Sequence, residues 1–290
     1  MEYPLVSIIC ICYNQKAFIK EALDSVWALD YPNVELIVAD DASTDGSQEL
    51  IKQLCEGKEA KLLLNKENVG HCKTFNLALK QASGEFVIDL SGDDVLLPNS
   101  VSVGAKRLLE KGEGYGVFFA DALLIDDSGK QIGEHKTASF FKSGVVPQGD
   151  VYATILGKYF INPPTMMYRK SLVEELGGYN EALAYEDFDF WVRSSRMTNY
   201  CYASVATVKK RMHGESVSAK QYVRNSKMLA STFEVCKTAF KLNQNKKEDK
   251  ALLKRLAYEA KMTIGSSNFS IGFKMMVLSV RVLFRFVFHN

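Results

Sequence analysis

The chain has 290 residues, 47% of them hydrophobic and 24% charged, which suits one large globular domain or one domain with a tail. A formal net charge of +2 argues against general nucleic-acid binding, which needs a concentrated basic surface. The six cysteines (Cys10, Cys12, Cys55, Cys72, Cys201, Cys236) show neither metal-ligand nor redox spacing and point to a reducing, cytosolic compartment. Met1-Glu2-Tyr3-Pro4 lacks a basic start and Leu5 to Cys12 is short for export, so no signal peptide is expected.

Val6 to Cys12 is a continuous Ile- and Val-rich run, the pattern of a strand covered on both faces. Tyr13-Asn14 ends it, and Ala17 to Leu29 carries apolar residues at helical spacing until Tyr31-Pro32-Asn33. A second buried strand, Val34 to Ala39, ends in Asp40-Asp41-Ala42-Ser43-Thr44-Asp45-Gly46-Ser47. A helix from Ser47 to Cys55, a strand at Lys61 to Leu64 and a helix over Cys72 to Gln81 follow. Gly84 to Asp94 reads as a short strand, bulky from Phe86 to Leu90 apart from Asp89, that stops at Ser91-Gly92 and two adjacent carboxylates. Repeats of this length predict right-handed crossovers and an α/β fold with a mainly parallel central sheet flanked by helices. Ligands of such sheets bind at the carboxyl ends of the strands, where Tyr13, Asp40, Asp41, Asp93 and Asp94 collect.

Paired carboxylates at a strand end suit a hard divalent cation such as Mg²⁺ or Mn²⁺, or they cap a turn. Asp41-x-Ser43-x-Asp45-Gly46 superficially suits a calcium loop, but Lys52 stands where a bidentate Glu is required. The absence of a phosphate loop and of Gly-x-Gly-x-x-Gly argues against an ATPase or a dinucleotide enzyme. Further on, an alternating strand is expected over Tyr115 to Asp126, an irregular loop over Glu134 to Pro147, a short strand at Met166 to Arg169, and a helix opened by Glu186-Asp187.

The order Val6 to Asn14, Asp40 to Ser47, Asn68-Val69-Gly70, then Gly84-Glu85 leading to Asp93-Asp94, resembles family 2 glycosyltransferases with the GT-A fold. Gly177-Gly178-Tyr179-Asn180-Glu181 with Glu186 to Trp191 resembles the family's acceptor-side motif, and Arg211 to Ser218 its late His-x-x-Ser motif. The resemblance implies that Tyr13 and Asn14 line the donor nucleotide, Asp41 accepts from a uracil-type N–H, Asp93 sits near the ribose and Asp94 holds the metal, Mn²⁺ or Mg²⁺. It further implies Asp187 as catalytic base and His213 as a metal or phosphate contact. Lys73 either offers charge to the diphosphate or lies in solvent. One departure is Ser91, where many members carry an Asp of the Asp-x-Asp-Asp pattern.

After Ser218 the composition shifts to lysine-rich helices, and residues 271–288 are almost wholly apolar apart from Lys274, Ser279, Arg281 and Arg285. At about 100° per residue the three basic side chains fall within roughly 40°, a stripe that suits a helix lying in a membrane interface or, alternatively, packed on the protein or a second subunit. The expected organisation is a catalytic domain at 1–218, divided near 97, with a helical extension at 219–290. The expected activity is inverting, metal-dependent transfer of a hexosyl or N-acetylhexosaminyl group from a UDP-sugar to a saccharide hydroxyl, with the acceptor lipid-linked in cell-surface polysaccharide assembly. That places the protein at the inner face of the cytoplasmic membrane, with oligomerisation left open. A non-catalytic nucleotide-sugar-binding subunit and a sugar nucleotidyltransferase are the rival readings.

Overall fold

Every residue of β1 (Val6–Cys12) is buried, as a strand covered on both faces requires. The computed structural model describes residues 3–213 and 221–288. It continues the alternation with α1 (Ile19–Trp27), β2 (Val34–Asp40), α2 (Ser47–Cys55), β3 (Lys61–Leu64), α3 (His71–Leu79) and β4 (Phe86–Ser91). Then come β5 (Val95–Leu96), α4 (Ser100–Lys111), β6 (Tyr115–Ile125), β7 (Gln131–His135), α5 (Tyr152–Gly157), β8 (Met167–Arg169) and α6 (Lys170–Glu175). The chain finishes with α7 (Asp187–Ser194), β9 (Asn199–Arg211), α8 (Lys227–Leu242), α9 (Lys246–Gly265) and α10 (Phe269–Phe288).

Among the described residues, nine strands form one sheet in the order β3-β2-β1-β4-β8-β6-β9-β5, with β7 beside β6. β1 is parallel to β2 and β4, and β2 to β3, which is the parallel half the sequence implies. Beyond β4 the sheet is mixed. β8 runs against both β4 and β6, and β9 is parallel to β6. β6 and β9 therefore point as β4 does, and their carboxyl ends share its edge. The stretch expected to be irregular after Glu134 begins as the end of β7 and holds a 3₁₀ turn at Thr137–Phe140.

Contacts divide the chain into two compact units. The first comprises the residues up to Gly149 with Ile161–Glu181 and Thr198–His213, and contains the whole sheet. Its core joins Ile8, Cys10, Val38, Phe86, Ile88 and Leu90 to Ile19 and Leu23 of α1 and Val101 and Leu108 of α4. Glu35 staples three strands' surroundings by accepting from Ser7, from the backbone N–H groups of Ser83 and Gly84, and from Lys61 Nζ at 2.8 Å. Only glycine fits at 84, where a Cβ would lie 2.6 Å from the backbone N of Ser7.

The second unit holds Asp150–Phe160, Ala182–Met197 and the described residues after 220. Side chains cap its long helices: Ser226 accepts from the N–H of Leu229 at 3.3 Å, and Asn245 from that of Glu248 at 3.1 Å. α10 lays Met275, Leu278 and Val282 inward and crosses α9 at Gly272, where a Cβ would meet Thr263 Oγ1 at 2.7 Å. Arg285 leaves the expected basic stripe: its Nε donates to Asp249 Oδ2 at 2.9 Å, because that buried carboxylate needs a cation. Lys274 and Arg281 stay exposed. Phe269, Phe273, Met276, Val277, Val280, Leu283, Phe284, Val287 and Phe288 are exposed along the outer face. No helix among the described residues is long and apolar enough to cross a membrane.

Candidate active site

Five of the residues singled out in the sequence stand on one edge of the first unit's sheet: Tyr13 after β1, Asp41 after β2, Asp93 and Asp94 after β4, and His213 after β9. Two loops build one end of this edge. Asn14 donates its N–H to Ser43 Oγ at 2.8 Å and accepts the N–H of Thr44 at 2.8 Å, so the β1 and β2 loops are tied together. Asp40 and Asp45 cap the second loop from within: Asp40 Oδ1 accepts the N–H of Ser43 at 2.8 Å, and Asp45 Oδ1 that of Ser47 at 2.9 Å. Burial alone would raise the Asp45 carboxyl, but bonds from Ser47 and from the N–H of Lys16 hold it below its ordinary value. Asn14 and Ala42 adopt left-handed backbone at φ 53° and 60°, which Asn tolerates and Ala does not favour. Tyr13 is 47% exposed, an aromatic face offered at a strand end.

Asp41 is buried and anchors the next element. Its Oδ1 accepts the N–H of Val69 at 2.9 Å and Asn65 Nδ2 at 3.0 Å, while Oδ2 accepts the N–H of Gly70 at 2.8 Å. A carboxylate offers about four lone-pair sites, so Asp41 retains capacity for one further donor. Lys73 is exposed on the first turn of α3.

The two carboxylates after β4 have different surroundings. Asp93 accepts from Ser91 Oγ on Oδ1 and meets His213 Nε2 at 2.8 Å on Oδ2, and both partners of that pair keep 13% of their side chains exposed. Asp94 is 4% exposed and accepts the N–H of Arg211 at 2.8 Å. Burial and the neighbouring Asp93 push the Asp94 carboxyl up to about 8, against the pull of that backbone bond. Asp93 and His213 together present an oxygen and a nitrogen donor, two side-chain types that ligate divalent cations.

The residue that sequence reasoning passed over is Arg211, quoted only as part of a motif. Its guanidinium is buried, donating to the backbone O of Asp93 at 3.0 Å, of Asp126 at 2.8 Å and of Asp127 at 3.2 Å, and to the Glu21 carboxylate. It lies 4.6 Å over the Phe18 ring, and Phe18 in turn tilts against His213. The last strand is thereby fixed to the Asp93 turn. The remainder of the late motif, Gly214 to Ser218, lies outside the described residues.

In the second unit, Asp187 opens α7 and is half-buried. Asp189, two positions further along the same helix, is buried and paired with Arg193 Nε at 2.7 Å, a structural ion pair. Asp187 is thus the more open of the two aspartates on this helix.

The fold is that of GT-A glycosyltransferases. The structure resembles Staphylococcus aureus TarS solved with UDP-GlcNAc (TM-score 0.69, 22% identity, 87% of this chain and 71% of that one). It also resembles the mannosyltransferase PcManGT from Pyrobaculum calidifontis solved with GDP-Man and Mn²⁺ (TM-score 0.64, 14% identity, 100% and 89%). The pattern of glycosyl transferase family 2 matches residues 7–177, and the chain belongs to that family. Among its curated relatives, an uncharacterized glycosyltransferase of Rickettsia felis is 29% identical over 220 residues, 75% of this chain and 36% of that protein. One of Haemophilus influenzae is 28% identical over 221 residues, 74% and 68%. The chain thus spans about a third of the length of the Rickettsia felis relative.

Proposed function

We propose that the protein is an inverting glycosyltransferase that moves a sugar from a UDP-linked donor to a hydroxyl of a saccharide acceptor. The observation that carries this reading is the single sheet edge on which an exposed aromatic (Tyr13), a carboxylate with spare acceptor capacity (Asp41) and an Asp93–His213 pair all stand. Tyr13 stacks on the base at low entropic cost, with Asn14 shaping its loop. Asp41 takes the uracil N–H on its remaining lone pair, which favours uracil over cytosine. Lys73 serves as a solvent-side charge for the diphosphate.

Asp93 and His213 are residues that would hold a divalent ion, Mn²⁺ or Mg²⁺. Asp94, expected from the sequence to carry the metal, is kept as a further ligand through Oδ2, while its Oδ1 accepts the N–H of Arg211 and so fixes β9. When bound, the ion supplies Lewis-acid neutralisation of the leaving diphosphate. Asp187 takes the proton of the acceptor hydroxyl as its oxygen bonds to the anomeric carbon, and the bond to the diphosphate breaks with its electron pair. The exposed apolar face of α10, edged by Lys274 and Arg281 and lacking any acidic residue, supports peripheral contact with an anionic leaflet and so a lipid-linked acceptor.

Calorimetric titration with UDP, GDP and CDP, with and without Mn²⁺, tests the reading. UDP should bind most tightly and only weakly without metal, and Asp93→Asn should lose the metal dependence while melting as wild type does. A protein that binds none of the three nucleotides is not this enzyme.

A further inference from the structure

A second polar cluster sits on β4, in the same unit, and no role assigned above uses it. Asp89 interrupts the apolar run from Phe86 to Leu90, and its side chain is nine-tenths buried, with 10% exposed. Its Oδ2 meets His71 Nε2 at 3.0 Å and accepts from Tyr179 OH at 3.1 Å. Its other oxygen, Oδ1, is buried and receives no hydrogen bond among the described residues. A buried carboxylate oxygen left without a donor is costly, so it persists where a ligand supplies one.

The surroundings are built, not incidental. Tyr179 is buried and stacked on Phe75 with ring centroids 4.1 Å apart. Asn76 grips its backbone from both sides, accepting its N–H at 2.8 Å and donating to its carbonyl at 2.9 Å. Tyr168 OH lies 3.4 Å from the Tyr179 hydroxyl. His71, the first residue of α3, keeps a third of its side chain exposed and forms the open side of the cluster.

Position on the strand indicates what this cluster faces. Alternate residues share a face, so Asp89 lies on the same face as Ser91, whose hydroxyl bonds to Asp93. Two residues of strand span about 7 Å, close to the width of one pyranose ring. Asp89 therefore stands one sugar-length down the strand from the turn assigned to the diphosphate. We infer that Asp89 and His71 form a subsite that binds a sugar hydroxyl, with Asp89 Oδ1 as its acceptor and Tyr179 holding the carboxylate in place. This rests on the nucleotide-sugar reading above. The hydroxyl belongs either to the sugar being transferred or to the acceptor.

The test compares wild type with Asp89→Asn and His71→Gln. Each is titrated calorimetrically with UDP and with UDP-GlcNAc, UDP-glucose and UDP-galactose, and free hexoses are then followed by saturation-transfer NMR in the presence of UDP. A hydroxyl of the donor sugar predicts unchanged UDP affinity and at least tenfold weaker binding of the preferred UDP-sugar in both variants. A hydroxyl of the acceptor predicts unchanged affinity for UDP and UDP-sugars with loss of the hexose signal. If every titration and every hexose signal matches wild type in the exposed-side variant His71→Gln and in folded Asp89→Asn, the subsite does not exist. Wild type is read first: failure to bind any nucleotide overturns the enzyme reading and the subsite with it, whereas normal UDP binding confines any failure to the subsite.

Discussion

Replacing Arg211 by Met removes the post that joins β9 to the Asp93 turn. The guanidinium makes three bonds to backbone carbonyls, at 2.8 to 3.2 Å, and an ion pair with Glu21. A hydrogen bond involving a charged group contributes about 1.5–3 kcal/mol, and the three are not additive. Asp127 is exposed, so water recovers its carbonyl. The Glu21 side chain is 47% exposed, which limits that pair to about 1 kcal/mol or less. Methionine also keeps contact with Phe18. The net loss is then about 3 kcal/mol, a large share of a typical stability of about 5–15 kcal/mol. Urea unfolding followed by circular dichroism measures it, with Trp27 fluorescence as a probe in the same unit. Arg211→Lys, which keeps the charge but not the fork, should recover part of the stability. Mn²⁺-dependent UDP affinity should fall about tenfold in Arg211→Met, since His213 loses its fixed approach to Asp93. Unfolding within 1 kcal/mol of wild type together with full Mn²⁺-dependent affinity would refute the reasoning.

Asp187→Asn should keep UDP affinity and melting temperature while turnover drops by about 10²–10⁴-fold, measured as UDP release; near-normal turnover removes Asp187 as the base. Glu35→Gln should cost about 1–3 kcal/mol at pH 7 in urea titrations, because it weakens a carboxylate clamp. Despite its burial, bonds from Lys61, Ser7 and Ser83 hold the Glu35 carboxyl below its ordinary 4.5, so its stabilisation is present above that pH. That contribution is lost as pH falls through the folded value, and the variant should show a shallower acid limb. Phe273→Ser combined with Phe284→Ser should release the protein from anionic vesicles in flotation without lowering its melting temperature, since both rings are more than 60% exposed; unchanged flotation counts against the leaflet contact.

What the sequence made legible is what local pattern encodes. β1, β2 and β4 announce themselves as apolar runs ending at polar turns, because each is buried over most of its length and stops at the carboxyl edge of the sheet. β9 gives no such signal, although it is the longest strand, because its burial alternates irregularly and its pairing with β6 shifts register. The strand order beyond β4 rests on pairings between distant segments, for which no local signal exists. The different fates of Asp93 and Asp94 were equally hidden: adjacent letters, but one faces His213 and the other the backbone of Arg211. Arg285 read as part of a basic stripe because a helical projection cannot show a buried Asp249 thirty-six positions earlier in the chain.

The six cysteines are all buried, five in the first unit and Cys236 in the second. Burial pushes the Cys12, Cys201 and Cys236 thiols up to about 12, and that of Cys10 well above its ordinary value. Thiolate is the species that alkylating reagents attack, so the folded chain should stay unlabelled near neutral pH. The native thiols can therefore time the opening of each unit separately under pulsed alkylation. A single cysteine introduced at an exposed position such as Thr44 would accept a spectroscopic label without removal of the other six.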